Sequence, residues 1–416
     1  MKVRRSWRSV CAGVALLSFV IGKGMAQEPS QGMRWVGSWA SAQMLVDGPD
    51  LGPDDFRDTT LRQTVHLSTG GSRIRVHLSN AFGTAPLRIQ MVHVAKPTSV
   101  ANCRIDASSD KPLRFSGNTA VTIPPGAEYL SDPIDYPVAP LSDLTVSLYL
   151  ETPSLHQTGH IAAHTTSCVG ARNLVTAADM PDAKKVQHWY YLAGVEIESA
   201  PDAAAVVTLG DSITDGSGST LNGNDRWPDF LAARLQAGAA TRRWSVLNEG
   251  IGGNHMLTDG VGPNALARLD RDVLAQPGVR VLIVHEGVND LGGWTRNGPI
   301  SKQEHEVFVA ALIASYEQVI ERAHARGLFV IGTTVLGYQG AANYHPDAAN
   351  LADWQRVNDW IRQPGHFDAV VDLDKATADP GHPGRMAPTT GSADNLHPGP
   401  AGYKMMGDAF PISLFH

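Results

Sequence analysis

The chain has 416 residues, of which 43% are hydrophobic and 18% are charged, and its formal net charge is −7. This length exceeds that of one ordinary domain and predicts two packed cores. The acidic balance, with no cluster of Lys or Arg after the first segment, argues against a nucleic acid or an anionic membrane as a partner and favours neutral substrates.

The first 26 residues have the pattern of a cleaved export signal. Basic residues precede the apolar run VCAGVALLSFVIG, and the small residues Gly24 and Ala26 follow it. The run is too short to span a bilayer, which takes about 20 apolar residues. Removing the segment removes five positive charges and brings the net charge to −12. We therefore expect residues 1–26 to be a signal peptide cleaved after Ala26, and the mature protein to be secreted or periplasmic, without stable membrane insertion.

The segment 33–198 alternates apolar and polar residues over short runs. In TVHLSTGGSRIRVHLSN the apolar residues occupy every second position on both sides of Gly70 and Gly71, which predicts a hairpin with one buried face. The runs PLRIQMVHVAK and LTVSLYLET continue this period, and no long helical pattern interrupts them. We predict an antiparallel β-sandwich domain, jelly-roll-like. Cys103 and Cys168 lie in this segment, and the sequence leaves open whether they form a disulfide.

From residue 203 to residue 416 apolar strands alternate with amphipathic helices. This alternation predicts a parallel sheet covered by helices on both faces, that is, a flavodoxin-like three-layer α/β/α domain. In such sheets ligands bind beyond the carboxyl ends of the strands. The predicted strands are 204–209, 244–248, 279–285, 328–334 and 368–373, and the predicted helices are 227–237, 263–275, 302–325, 350–362 and 400–409.

The first of these strands ends at GDSITDG, which presents Ser212 where a turn leads into a helix. A serine hydroxyl is a weak nucleophile until a base takes its proton. The loop SADNLHPGPAGY offers His397 as that base, with Asp394 three residues before it to hold the imidazole in one tautomer. For each motif taken singly, an ordinary turn or a polar surface loop is the alternative, and we assign Asp211 to fixing the turn.

Two further strand ends offer donors for an oxyanion. Gly252 and Gly253 in NEGIGGNHML let the backbone approach a substrate, and HEGVNDLGG brings the amide of Asn289 to the same edge. Glycine and Asn-Asp are common turn residues after a strand. Four such coincidences at four strand ends are much less expected than any one of them.

Together, GDSITDG, GIGGN, EGVND and DNLH resemble the sequence blocks of the GDSL or SGNH hydrolase superfamily, in order and in rough spacing, over residues 203–416. The resemblance implies an ester hydrolase with Ser212 as nucleophile, His397 as base and Asp394 as its partner. It implies an oxyanion hole made by the N–H groups of Ser212 and Gly253 and the side chain of Asn289, with no metal or organic cofactor. The segment that opens with WVGSWASAQ looks like the β-rich front domain of secreted members of the arylesterase and acylhydrolase branch, some of which act on plant polysaccharides.

Other features of the sequence have a structural explanation as well as a functional one. His160 and His164 in HIAAH have the spacing of a metal-binding helix pair, but they lie in a strand-rich segment without the adjacent glutamate of a zinc hydrolase, so we assign them a structural role. Trp294 and Tyr338 are candidates for stacking on a sugar or an aryl group, with plain packing as the alternative.

The leading hypothesis is a secreted serine esterase that hydrolyses short-chain acyl groups, acetyl above all, on plant polysaccharides or oligosaccharides. One alternative is a lipase or lysophospholipase that acts on longer acyl chains. Another is a glycan-binding module on an inactive hydrolase scaffold. The fold alone does not fix the substrate, and the sequence does not indicate the oligomeric state.

Overall fold

A computed structural model describes residues 32–46, 50–153 and 156–415 of the chain. The predicted signal peptide and its cleavage site after Ala26 lie outside these residues and stay predictions. We call residues 32–199 the front half and residues 204–415 the second half.

The front half is built of short strands. Within the described residues they are β1 Arg34–Ala40, β2 Met44–Leu45, β3 Thr59–Leu67, β4 Gly71–Ser79, β5 Leu87–Ile89, β6 Met91–Pro97, β7 Ile105–Pro112, β8 Val121–Ile123, β9 Glu128–Leu130, β10 Ile134–Val138, β11 Ser142–Leu150, β12 Thr158–His160, β13 Ser167–Ala171, β14 Lys184–Val186, β15 Trp189–Tyr190 and β16 Leu192–Ser199.

These strands form two larger antiparallel sheets and two small ones. One large sheet has the order β1-β16-β4-β10, with β9 beside β4, and the other has the order β14-β13-β3-β11-β6-β7. Alternate residues of both sheets, such as Val76 of β4 and Val146 of β11, are fully buried in one hydrophobic cluster. The front half is therefore β-rich around a core of its own. The jelly-roll connection and the domain boundaries stay predictions.

The predicted hairpin around Gly70 and Gly71 is wrong. Strands β3 and β4 do not pair: each enters a different large sheet, and the two glycines connect the sheets. A Cβ on Gly70 would lie 2.6 Å from the carbonyl oxygen of Val138, and one on Gly71 would lie 2.6 Å from that of Glu198. Glycine is needed there because neighbouring backbones pass close by, and the alternating pattern is the same whether two strands pair or face each other across a core.

Cys103 and Cys168 form a disulfide in the front half, with their Cα atoms 5.8 Å apart. The sulfurs pack with Met180 in a small satellite cluster. The bond closes a loop of 65 residues and joins the connection between β6 and β7 to β13.

The second half contains the predicted parallel sheet. Its strands are β17 Ala204–Gly210, β18 Trp244–Gly250, β19 Val279–His285, β20 Phe329–Thr333 and β21 Ala369–Val371, and their spatial order is β18-β17-β19-β20-β21. In this order the first strand of the half, β17, lies between the second, β18, and the third, β19, which is the flavodoxin-like order. All five predicted strands are present. Their carboxyl ends share one edge, because every pairing is parallel.

Helices follow the strands of this sheet. They are α1 Ser212–Asp215, α2 Trp227–Ala237, α3 Ala265–Leu269, α4 Val288–Gly293, α5 Lys302–His324, α6 Ala348–Arg362, α7 Leu373–Thr377 and α8 Pro400–Ala409, and a π-helical turn, Asp270–Leu274, extends α3. The sequence did not predict α1, α4 and α7, because four to six residues are too few to show a helical period. In the described part of the chain no helix combines the length and apolarity needed to cross a membrane.

The two halves share an interface. Val36 and Ala40 of β1 belong to the hydrophobic cluster of the second half, and the N–H of Gly37 donates to the carbonyl of Pro277 over 2.9 Å. The N–H of Val246 donates to the Ser68 hydroxyl over 3.1 Å. The front half is therefore packed against the parallel sheet.

Candidate active site

A sharp turn presents Ser212 at the carboxyl end of β17. The carboxylate of Asp211 caps α1 by accepting a hydrogen bond of 2.9 Å from the N–H of Ile213, and Ser212 is the first residue of that helix. A Cβ on Gly210 would lie 2.0 Å from the Thr214 hydroxyl, so only glycine fits before the turn. Asp211 therefore fixes the turn, as the sequence predicts.

The loop before α8 brings an imidazole to the serine. Nε2 of His397 lies 2.8 Å from Oγ of Ser212, and Nδ1 lies 2.6 Å from Oδ2 of Asp394. Ser212 and Asp394 are 182 residues apart in the sequence. In the structure the three side chains form one continuous chain of hydrogen bonds. This is the geometry in which a carboxylate orients an imidazole that faces a hydroxyl.

Asp394 is held in its loop by the backbone as well as by the imidazole. Its Oδ1 accepts hydrogen bonds from the N–H groups of Leu396, at 2.9 Å, and of His397, at 2.8 Å. Partial burial opposes ionisation of Asp394, but these bonds and the contact with the ring outweigh it, so its pKa lies below the ordinary value. The carboxylate is therefore charged at neutral pH and can stabilise an imidazolium.

Two backbone N–H groups near the serine are unoccupied. Within the described residues, neither the N–H of Ser212 nor that of Gly253 donates a hydrogen bond to the protein. Gly253 has a φ of +71°, in the left-handed region that favours glycine. The preceding N–H, of Gly252, donates to Oδ2 of Asp215 over 3.1 Å. In this turn the N–H of Gly252 is therefore hydrogen-bonded, whereas the N–H of Gly253 has no acceptor among the described residues.

The third expected donor, Asn289, is the second residue of α4 and is buried. Its Nδ2 donates to the carbonyl of Asn254 over 2.7 Å, which ties it to the loop that carries Gly253. Its Oδ1 accepts a hydrogen bond from the hydroxyl of Tyr344. These two contacts fix the orientation of the amide group. The second hydrogen of Nδ2 is left for a donor role at the site.

Tyr344 is a site residue that sequence reasoning missed. It lies in the stretch GYQGAANYH, from which the sequence analysis selected Tyr338. Tyr338 is fully buried and packs edge-on against Tyr344, with ring centroids 6.3 Å apart. Its burial supports packing rather than stacking on a substrate. Trp294 stacks on Phe308 of α5 at 4.8 Å, so one face of its indole is already covered.

A buried arginine connects the strand ends beneath the site. Arg268 of α3 donates to the carbonyls of Gly210 over 3.0 Å and Glu249 over 2.6 Å, and to Oδ1 of Asn254 over 2.9 Å. Its guanidinium also lies 3.5 Å from Glu286. Arg268 thus connects the backbone segments that carry Ser212 and Gly253. No local sequence motif indicates this role.

Carboxyl groups around this arginine are far from their ordinary pKa values. Burial raises the pKa of Asp211 to about 7 and that of Asp290 to about 6. Burial also raises the pKa of Glu249 and Glu286 well above the ordinary value. Asp290 accepts hydrogen bonds from the N–H groups of two residues just after Gly253, Met256 and Leu257. These groups shape the floor of the site, and perturbed carboxyl groups of this kind cluster at functional sites.

His160 and His164 do not form a metal site. His160 ends β12, and its two ring nitrogens contact the carbonyl of Ala42 and the carboxylate of Asp215. Among the described residues there is no group of three or more His, Cys, Asp or Glu side chains that could hold a metal ion.

Comparison with known proteins identifies the second half. Residues 208–405 match the GDSL-like Lipase/Acylhydrolase family. A search of curated protein sequences gave no significant match.

Among solved structures the chain is similar to a lipolytic protein of the G-D-S-L family from Desulfitobacterium hafniense DCB-2, at 21% identity over 50% of this chain and 97% of that one, with a TM-score of 0.37. It is similar to the lipase/acylhydrolase from Enterococcus faecalis, at 23% identity over 50% and 92% of the chains, with a TM-score of 0.38. It is also similar to an acetylxylan esterase from Geobacillus stearothermophilus, at 23% identity over 50% and 93% of the chains, with a TM-score of 0.36.

The family match spans the loops that carry Ser212, Gly253, Asn289, Asp394 and His397. The second half of the chain therefore carries a domain that matches the GDSL-like lipase/acylhydrolase family, and this match indicates a carboxylic ester hydrolase.

Proposed function

We propose that the protein is an exported serine esterase that removes short acyl groups, acetyl above all, from plant polysaccharides or oligosaccharides. The observation that carries the proposal is the continuous chain of hydrogen bonds from Ser212 through His397 to Asp394. It supplies a nucleophile, a base and a group that orients the base, which ester hydrolysis without a cofactor requires.

In the first step Oγ of Ser212 forms a bond to the carbonyl carbon of the ester while Nε2 of His397 takes the hydroxyl proton. The electron pair of the carbonyl moves to its oxygen, which becomes an oxyanion. The free N–H groups of Ser212 and Gly253 and the amide of Asn289 are the donors for that oxygen. Losing one such donor typically costs about 10²- to 10³-fold in rate.

The tetrahedral intermediate then collapses, and the alcohol leaves with the proton that His397 returns to it. The acyl group remains on Ser212 as an ester. In the second step His397 takes a proton from water, the water oxygen attacks the acyl carbon, and the carboxylic acid leaves as the proton returns to Oγ. Asp394 stays ionised throughout and stabilises the imidazolium, consistent with its lowered pKa.

A small acyl group is supported by the low exposure of Ser212, which is 6%. A neutral carbohydrate alcohol is supported by the acidic net charge of −7 and by the resemblance of the front half to secreted polysaccharide-active members of the branch. Export is supported by the signal-like pattern of residues 1–26 and by the disulfide between Cys103 and Cys168.

The test compares purified mature protein with its Ser212→Ala variant. We expect the wild type to hydrolyse p-nitrophenyl acetate, to prefer it to the decanoate, and to release acetate from acetylated xylan, and we expect Ser212→Ala to abolish all three activities. Ser217→Ala is the matched control, because Ser217 follows the same turn and, among the described residues, forms hydrogen bonds through its backbone alone.

Three results would contradict parts of this proposal. Equal turnover by Ser212→Ala would remove the serine from its role. A preference for decanoate would favour a lipase or lysophospholipase. Binding of xylan without any turnover that depends on Ser212 would indicate a glycan-binding module.

A further inference from the structure

The front half contributes a buried histidine to the edge of the active site. His160, the last residue of β12, is 2% exposed, and its Nε2 lies 3.0 Å from Oδ1 of Asp215. Its Nδ1 lies 2.8 Å from the carbonyl oxygen of Ala42. A carbonyl oxygen and a carboxylate accept hydrogen bonds, so both ring nitrogens are placed to donate, as they do in the doubly protonated imidazole.

The surroundings of His160 agree with this charge state. Burial opposes protonation and the nearby guanidinium of Arg226 also lowers the pKa, but the carboxylate of Asp215 and the two acceptors outweigh both, so the pKa of His160 is raised. His164 is another titratable side chain near His160, and burial lowers its pKa. The ring of Trp189 packs on the imidazole with centroids 5.8 Å apart.

Asp215 passes this contact on to the active site. It is the last residue of α1, the helix that begins with Ser212, and it is 4% exposed. One carboxylate oxygen takes the hydrogen bond from His160, and the other accepts the N–H of Gly252 over 3.1 Å. The next N–H along the chain, that of Gly253, has no acceptor among the described residues. The orientation of Gly253 is therefore set one residue upstream, by a carboxylate that His160 holds in place.

We infer that His160 is a positioning residue for catalysis: through Asp215 and Gly252 it aims the N–H of Gly253 at the oxyanion, so the front half completes the active site. This inference rests on the proposed function, which gives Gly253 its role. His160 itself touches no reacting atom. A misplacement of about 1 Å in a catalytic group can cost about 10²-fold in rate, so the effect is measurable.

Two substitutions separate the two hydrogen bonds of His160. In His160→Asn the amide nitrogen reaches the position of Nδ1 and keeps the contact with Ala42, whereas the contact with Asp215 is lost. In His160→Gln the longer side chain brings its amide nitrogen near the position of Nε2 and keeps the contact with Asp215. We expect His160→Asn to lower kcat about 10- to 100-fold with little change in KM, and His160→Gln to restore most of that loss.

The matched control is His93→Gln. His93 is a buried histidine of the front half whose Nδ1 lies 2.8 Å from Asp110, and its carboxylate partner belongs to the same half. Gln places its amide nitrogen near the position of Nε2, so the contact with Asp110 is lost. We expect His93→Gln to lower the melting temperature as His160→Asn does, but to leave kcat unchanged. A second readout is inhibition by phenylboronic acid, whose adduct with Ser212 places an oxygen in the oxyanion hole. Its inhibition constant should rise in parallel with the loss in kcat.

The inference is overturned if His160→Asn folds with kcat and phenylboronic acid affinity within twofold of wild type, or if His93→Gln reduces both equally. If His160→Asn does not fold, kcat and inhibition by phenylboronic acid are measured in Asp215→Asn instead. This variant replaces one of the two acceptor oxygens, so the same outcomes apply to it. A wild type without esterase activity would refute the proposed function instead, so the two failures are distinguishable.

Discussion

Replacing Asp394 by Asn tests the triad at the residue that orients the base. Asn keeps an oxygen for the N–H groups of Leu396 and His397, so the loop should keep its shape. At the position of Oδ2, however, it places an amide nitrogen that can only donate toward Nδ1 of His397. The imidazole must then carry its proton on Nε2, where it faces Oγ of Ser212 and cannot accept the hydroxyl proton.

The magnitude follows from that change of tautomer. In serine hydrolase triads the same change lowers kcat by about 10⁴-fold, and each factor of ten corresponds to about 1.36 kcal/mol of barrier. The side chain of Asp394 is 44% exposed, so water can partly replace its contribution to stabilising the imidazolium. We therefore expect a loss of about 10³- to 10⁴-fold, or about 4 to 5.5 kcal/mol, with KM nearly unchanged.

The assay is steady-state hydrolysis of p-nitrophenyl acetate, with the melting temperature as a check on folding. The chain offers a matched control in Asp379→Asn. Oδ2 of Asp379 lies 2.8 Å from Nδ1 of His382, three residues on, but this imidazole is 65% exposed and makes no contact with Ser212. A kcat of Asp394→Asn within tenfold of wild type, or an equal loss in Asp379→Asn, would refute the reasoning.

Three further predictions concern the surroundings of the site and the front half. Tyr344→Phe should lower kcat about 3- to 10-fold by releasing the amide of Asn289, since one hydrogen bond is worth about 1 kcal/mol, whereas Tyr338→Phe should not; equal effects in the same ester assay would contradict this role. Glu249 is buried and its pKa is raised, so the folded state binds its proton more tightly than the unfolded state does. The stability that this proton contributes is present below the unfolded pKa of about 4.3 and is lost as pH rises through the folded pKa. Glu249→Gln should therefore lose less free energy of unfolding between pH 6 and pH 9 than the wild type does, as urea titrations can show, and identical slopes would argue against it. Replacing Cys103 and Cys168 by Ala should lower the free energy of unfolding by about 2 to 4 kcal/mol, because the bond closes a loop of 65 residues; an unchanged urea midpoint would show that the bond does not constrain the chain.

The sequence could locate the candidate site because parallel strands end at one edge of a sheet. Ser212, Gly253 and Asn289 each follow a buried strand, so their positions could be inferred without knowing any contact. His397 was predicted from the motif DNLH, but the spacing alone does not single it out, because Asp379 and His382 are also three residues apart. Only the path of the chain shows which imidazole reaches the serine.

Other features were not predictable, because they depend on contacts between distant segments. Tyr344 meets Asn289, and His160 meets Asp215, each across 55 positions of the sequence. The false hairpin at Gly70 has a similar cause: an alternating run shows which face is buried but not which strand lies beside it. Periodicity describes one element at a time, whereas pairing is a property of two.

Strand β1 has a consequence for how this protein could be re-engineered. Val36 and Ala40 fill space in the core of the second half, although β1 pairs with β16 in the front half. The two halves should therefore melt in a single cooperative transition, and a catalytic fragment expressed without its β-rich partner would expose an apolar gap. Swapping front halves between related esterases to alter specificity would have to retain β1 with the recipient, so that the graft begins after Ala40.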